Sequence, residues 1–201
     1  MKTTKNKTGQ SPVKRNVDDD DRYLTKEELA KLYAALKSNR HGHRDYMLAL
    51  VSFLHGLRVS EVIGLRWDDV DWRKGTITIR RLKGSIDGVQ YMEADEAKGL
   101  KRLHKEQQEK MPGVRYIFTS ERGQPFSRSG VSKMIEAAGV KAGLGDCFPH
   151  MLRHSTGHAL ANNGASAYEI QKMLGHASFS NTVRYTKLNN APLKDVWRGR
   201  R

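Results

Sequence analysis

The run Pro149-His150-Met151-Leu152-Arg153-His154 holds the densest set of side chains able to act on an anion. Residues three apart on a helix share a face, so the His150 imidazole and the Arg153 guanidinium project together. The proline marks a first helical turn, where unpaired backbone N–H groups and the helix dipole already favour negative charge. Phosphate suits such a pair, although the same spacing also describes an ordinary surface pair. Arg58 stands three residues ahead of Glu61 at a helix junction, a spacing that by itself reads as a structural salt bridge. Lys83 follows a candidate hairpin strand and alone reads as a solvated turn lysine. His176 ends Leu174-Gly175-His176, and Tyr185 lies nine residues later in a helical run. A phenol of pKa about 10 attacks poorly unless cations surround it. His150, His154 and His158 fall at i, i+4 and i+8, but Met151 occupies the place where a zinc-protease helix needs glutamate. No cysteine or carboxylate cluster adds ligands, so no metal site is expected and His154 and His158 are read as packed or hydrogen-bonded.

These groups need elements to position them. Thr25 and Glu28 have capping-box spacing ahead of Leu29, Leu32, Tyr33 and Leu36 at helical period. A more apolar helix from about His43 to Leu54, closed by Gly56, should be central and buried. A short helical stretch follows near 60–65. Thr76-Ile77-Thr78-Ile79-Arg80 then alternates with period two, and Asp87-Gly88 leads into a second run at Val89–Met92, which together make a β-hairpin. Helices are expected over 95–110, 127–142, from Pro149 to Asn162-Asn163-Gly164, near 167–174 and over 180–188; Tyr116–Phe118 is read as a third strand. The fold class is α+β, mainly helical with a small antiparallel sheet. One domain spans 23–188, between a basic, disordered N-terminal tail (1–22) and a basic C-terminal tail (189–201).

Composition narrows the function classes. The 201 residues include 36 Lys and Arg against 22 Asp and Glu, a formal charge of +14. That balance favours a polyanionic partner, most often nucleic acid. An aromatic share of 7% and no RNP-type aromatic string argue against an RNA-binding module. No apolar run nears the roughly 18 residues of a membrane span, and the basic start has no apolar stretch behind it, so neither membrane nor secretion is implied. A single cysteine, Cys147, suits a reducing cytoplasm. The acidic run Asp18–Asp21 is read as solvated, and Asp68, Asp69 and Asp71 as solvent-facing loop residues instead of a two-metal centre.

Taken in order, Arg58 with Glu61, Lys83 on a hairpin, His150-x-x-Arg153, His176 and Tyr185 resemble the active-site series of the tyrosine recombinases, the phage integrase family. The strings HGLRVSEVIGLRWDDVD, PHMLRHSTGHALANNG and LGHASFSNTVRYT read as that family's signature blocks, and the likeness covers about 23–188. The resemblance implies the tyrosine recombinase catalytic-domain fold and site-specific strand exchange on double-stranded DNA. It implies that Tyr185 attacks phosphorus to form a 3′-phosphotyrosyl link, while Arg58 and Arg153 hold the non-bridging oxygens. Lys83 would protonate the departing 5′ oxygen, His150 assist proton transfer at the tyrosine, His176 donate to a phosphate oxygen and Glu61 orient Arg58. Bond energy kept in the covalent link requires neither metal nor ATP, in keeping with the lack of a GxxxxGK[ST] loop. About 22 residues before the first helix leave no room for a separate clamp domain, as in the compact fimbrial phase-switch invertases. A homo-oligomer, a tetramer on paired sites, is implied, with DNA-bending accessory proteins as further partners and the C-terminal tail docked on a neighbouring subunit. The alternatives are a non-cleaving DNA-binding accessory protein and a truncated integrase fragment with topoisomerase-like nicking-closing activity.

Overall fold

In the computed structural model, residues 22–81 and 87–186 are described. Helix α1 (Lys26–Lys37) starts at the expected cap: Thr25 Oγ1 accepts the Glu28 N–H at 3.2 Å, and Glu28 accepts the Thr25 N–H at 2.9 Å. Helix α2 (Gly42–Leu54) is the central element and packs against α1, α4 (Ala94–Lys110) and α6 (Pro149–Asn162). Met47, Leu48, Ala49 and Val51 are at most 1% exposed, and each larger side chain among them contributes about 2 kcal/mol by leaving water. Helix α5 (Arg128–Lys141), with Ser127 as its cap, buries Val131, Ile135 and Ala138 against the same core. Helices α7 (Ala167–Leu174) and α8 (Ser180–Thr186) close onto α6 around a smaller cluster of Ala161, Ile170, Leu174 and Tyr185.

The sheet is antiparallel in the order β1 (Val70–Asp71), β2 (Thr76–Ile79), β3 (Gly88–Tyr91). Strand β2 pairs with β3 in the expected hairpin, Thr76 opposite Tyr91 and Ile79 opposite Gly88. The third strand is not Tyr116–Phe118. That segment makes only an isolated bridge, Arg66 with Tyr116, and Val70–Asp71 takes the sheet position instead. Ile117 and Phe118 are both fully buried, so two successive side chains enter the core and the pleated alternation of a sheet strand is lost. A second correction concerns Asp69, which is buried and not solvent-facing. Its Oδ2 accepts the Arg66 N–H at 2.9 Å and its Oδ1 lies 2.7 Å from Arg80, so it fastens the turn ahead of β1 (residues 67–69) to the end of β2.

The short helix α3 (Val59–Gly64) follows a turn made possible by Gly56. Gly56 has φ of +56°, and a Cβ there would sit 2.3 Å from Leu174 Cδ2. This close approach brings the carbonyls of residues 55 and 56 against the end of α7. Among the described residues, no helix is long and apolar enough to cross a membrane.

Candidate active site

Two arginines, from the start of α3 and from the end of β2, meet on one carboxylate. Helix α3 supplies Glu61, anchored at its own N-terminus: Glu61 Oε2 accepts the Arg58 backbone N–H at 2.9 Å, while Oε1 accepts from the Arg58 guanidinium at 2.8 Å. The same carboxylate's Oε2 accepts from Arg81 at 2.8 Å. Burial alone would raise the Glu61 pKa, but the Arg58 backbone and the Arg81 guanidinium hold it below the usual carboxylate range. The expected Arg58–Glu61 pair is therefore present, and Glu61 also serves a second arginine.

Arg81 is a site residue that no sequence motif marks. Its side chain is 1% exposed, and besides Glu61 it donates to the carbonyls of His55, Gly56 and Met173. The signal was present in the hairpin: Ile77, Ile79 and Arg81 stand in phase, and the two isoleucines are wholly buried. Helix α6 supplies Arg153, 2% exposed, whose guanidinium donates to the Gly56 carbonyl and, at 2.8 Å, to the Leu174 carbonyl. Burial, then Arg58 and Arg81 nearby, push its pKa down to about 9, which leaves it charged at neutral pH.

His150 opens α6 as expected but stays exposed, whereas Arg153 turns inward. The His150 ring meets His154 edge to face, centroids 4.5 Å apart. His154, buried, brings Nδ1 to 3.0 Å from the Tyr185 hydroxyl. It is a further residue the sequence did not place in the site, hidden as the neighbour of Arg153. His158 stacks on Tyr23 and meets the Tyr185 ring edge-on at 5.3 Å. Both histidines are packed, and among the described residues no group of His, Cys, Asp or Glu is arranged to hold a metal.

Tyr185, on α8, is 2% exposed. Its ring lies parallel to that of His176, centroids 6.4 Å apart, and rests on α6 at Gly157. A Cβ on Gly157 would come within 2.5 Å of the tyrosine ring. Gly157→Ala should therefore displace the ring and, as overpacking does, destabilise the fold by about 1–3 kcal/mol, read as a lower urea midpoint at unchanged slope. An unchanged midpoint would mean that the ring does not rest there in solution.

His176 is buried beside these cations. Burial first, then Arg153 and Arg58, lower its pKa to about 3, so the ring is neutral at physiological pH. Its Nδ1 lies 2.9 Å from the Thr182 hydroxyl. When that hydroxyl donates to Nδ1, the ring proton resides on Nε2, which becomes a neutral donor. Lys83 lies outside the described residues, as do residues 1–21 and the C-terminal tail; Arg22, the last residue of the expected N-terminal tail, donates to the Leu144 carbonyl at 2.8 Å. The geometry thus gathers Arg58, Glu61, Arg153, His176 and Tyr185, adds Arg81, His154 and Thr182, and sets His150 at the exposed edge.

The Phage integrase family model matches residues 22–191. The Type 1 fimbriae regulatory protein FimE of Escherichia coli (strain K12) is 38% identical over 179 residues, 88% of this chain and 90% of FimE. The crystal structure of XerA recombinase superposes with TM-score 0.71 at 34% identity, over 89% of this chain and 65% of that one. XerH site-specific recombinase, crystallised on palindromic difH substrate, superposes with TM-score 0.74 at 24% identity over 89% of this chain and 54% of its own, a likeness of fold. Family match, relatives and fold agree: the chain belongs to the phage integrase family, the tyrosine recombinases.

Proposed function

We propose that this recombinase cuts and rejoins duplex DNA through a 3′-phosphotyrosyl intermediate on Tyr185, needing neither metal nor ATP. The observation that carries this reading is charge. Three guanidiniums, Arg58, Arg81 and Arg153, gather about the single carboxylate of Glu61 and beside a phenol. That excess of positive charge suits a phosphodiester, and guanidinium forks match its two non-bridging oxygens. Arg81 is held by four acceptors and acts as the strut of the cluster, leaving Arg58 and Arg153 to hold the phosphate.

The Tyr185 oxygen attacks phosphorus as its proton passes to the His154–His150 pair, and the bond to the 5′ oxygen breaks. Lys83 supplies the proton that oxygen needs. Neutral His176 donates Nε2–H to a phosphate oxygen. One phosphoester replaces another, so rejoining runs the same steps backwards. The partners are double-stranded DNA, further copies of this chain as a tetramer on paired sites, and DNA-bending proteins, in the cytoplasm.

The test is capture on nicked duplexes (which cannot be rejoined) selected from a random pool for binding. A covalent adduct should form in EDTA and map to Tyr185. Binding without any adduct would favour the accessory-protein alternative, and relaxation of plasmid lacking a selected site the nicking-closing one. Binding should also be steeply salt-dependent, log K falling by about 0.9 per phosphate neutralised. A flat response would argue against duplex DNA. Thr182→Val, nearly isosteric, should slow cleavage about tenfold by releasing the His176 tautomer while leaving DNA affinity unchanged; single-turnover rates decide this.

A further inference from the structure

Behind the arginines lies a buried polar chain that the reaction above does not use. His55, 1% exposed, is the residue after α2, and its ring bridges two elements. Its Nε2 lies 2.7 Å from Glu96 Oε1 at the start of α4, and its Nδ1 lies 2.7 Å from the Gln90 side-chain oxygen on β3. Glu96 is fully buried, and its other oxygen accepts the Glu93 backbone N–H at 3.2 Å. The Gln90 amide nitrogen donates to the Met173 carbonyl at 3.0 Å.

That last bond decides the protonation of the ring. The Met173 carbonyl can only accept, so the amide of Gln90 must turn its nitrogen there and its oxygen to His55. An oxygen without a hydrogen obliges Nδ1 to donate. On the other side, a buried carboxylate is best satisfied by a second donor, Nε2–H. Glu96 and His55 then form a neutral ion pair sealed from water.

The chain ends on the cradle of the guanidiniums. The Met173 carbonyl accepts from Gln90 and also from Arg81. The His55 carbonyl accepts from Arg81 at 3.0 Å, and the next carbonyl, Gly56, accepts from both Arg81 and Arg153. Glu96 on α4 is the charged group that meets the ring; Arg81 after β2 meets the His55 backbone carbonyl, with Glu61 on α3 bound to Arg81 and Arg153 on α6 bound to the next carbonyl. We infer that His55 is a positioning residue, protonated on both ring nitrogens, which ties α4, β3 and α7 together and so fixes the carbonyls that aim Arg81 and Arg153. The inference rests on the reading of those arginines as the phosphate site.

Glu96→Gln separates this role from simple packing. A glutamine at 96 can accept the Glu93 N–H with its oxygen and donate its N–H to Nε2 of a neutral ring. Every hydrogen bond survives while the charge is lost. Nitrogen-15 spectra of the full-length protein at neutral pH should show His55 protonated on both nitrogens in the parent, and on Nδ1 alone in Glu96→Gln. Cleavage by Glu96→Gln should stay within about threefold of the parent. Glu96→Ala should cut about 100-fold more slowly, the scale of a 1 Å misplacement, with DNA affinity unchanged. A parent ring with one bare nitrogen overturns the inference, as does equal loss of rate in the Gln and Ala variants or native rate in Glu96→Ala. The spectra need no DNA, so their failure is distinct from failure of the recombinase reading, which the Tyr185 adduct tests.

Discussion

Replacing Tyr185 with phenylalanine should abolish covalent capture of DNA while leaving affinity within about threefold, since phosphate contacts carry most of the binding. The change removes one oxygen. The ring keeps its place between His176 and His158 and its rest on Gly157. What disappears is the hydroxyl that meets His154 at 3.0 Å. Losing a buried hydrogen bond should lower stability by about 1–2 kcal/mol, which leaves the protein folded. No neighbouring side chain replaces the lost nucleophile: His154, His158 and His176 are the groups around the ring, and a transient phosphohistidine would be acid-labile and easily told from a phosphotyrosine. Denaturing gels of nicked duplex with parent and variant, beside mobility shifts at matched salt, measure both quantities. A persistent adduct in the variant would sink the assignment of Tyr185, and loss of binding together with the adduct would mean that the phenol holds DNA instead of cutting it.

The legibility of this chain follows how local each signal is. The cap of α1 was readable because both partners lie within four residues and nothing distant competes. The burial of α2 was readable because its apolar residues exceed what one helix face can use. Pairing of β2 with β3 was readable from the alternation and from Asp87-Gly88 ahead of the second run. The candidate site residues come from spacing and resemblance, and where the chain is described the geometry brings most of them together. Failures came where partners are remote. Arg81 bonds to carbonyls at 55, 56 and 173, none of which has a side-chain signature. Asp69 is bound by Arg80 from the far end of a neighbouring strand, so its acidic run looked like a solvated loop. Tyr116–Phe118 has strand-like composition, but the sheet edge was already taken by Val70–Asp71. His150 and Arg153 share a helix as expected, yet the arginine is buried on two carbonyls while the imidazole stays exposed.

The same facts explain how the cluster tolerates its charge before a phosphate arrives. Buried guanidiniums are costly unless their N–H groups are met, and here backbone carbonyls meet them. Arg81 and Arg153 share the Gly56 carbonyl, which is free to accept because α2 has ended at Leu54 and the turn at Gly56 has positive φ. Glu61 adds a negative charge between Arg58 and Arg81, and Asp87 another beside Arg81. Removing Gly56's conformational freedom would thus disturb two arginines at once, although neither is near it in sequence.

Substituting Arg153 by lysine should lower the cleavage rate about 1,000-fold, the upper range for losing a transition-state donor, even though the formal charge is kept. A guanidinium is planar and carries five N–H donors. Arg153 spends one on the Gly56 carbonyl and one on the Leu174 carbonyl, and the fork still has further donors for a phosphate oxygen. A lysine ammonium has one nitrogen and cannot span both carbonyls and a phosphate. Charge fails as well. Burial, Arg58 and Arg81 already pull the Arg153 pKa down to about 9, starting from an ordinary value far above that of lysine. The same surroundings would leave a lysine largely neutral at physiological pH, which removes most of the cation. Raising the charged fraction by lowering the pH should therefore recover part of the lysine variant's rate, with no such gain in the parent. Single-turnover cleavage against pH for both proteins measures this, with binding measured alongside at constant salt. A lysine variant that cuts within tenfold of the parent would show that Arg153 serves the fold and not the phosphate.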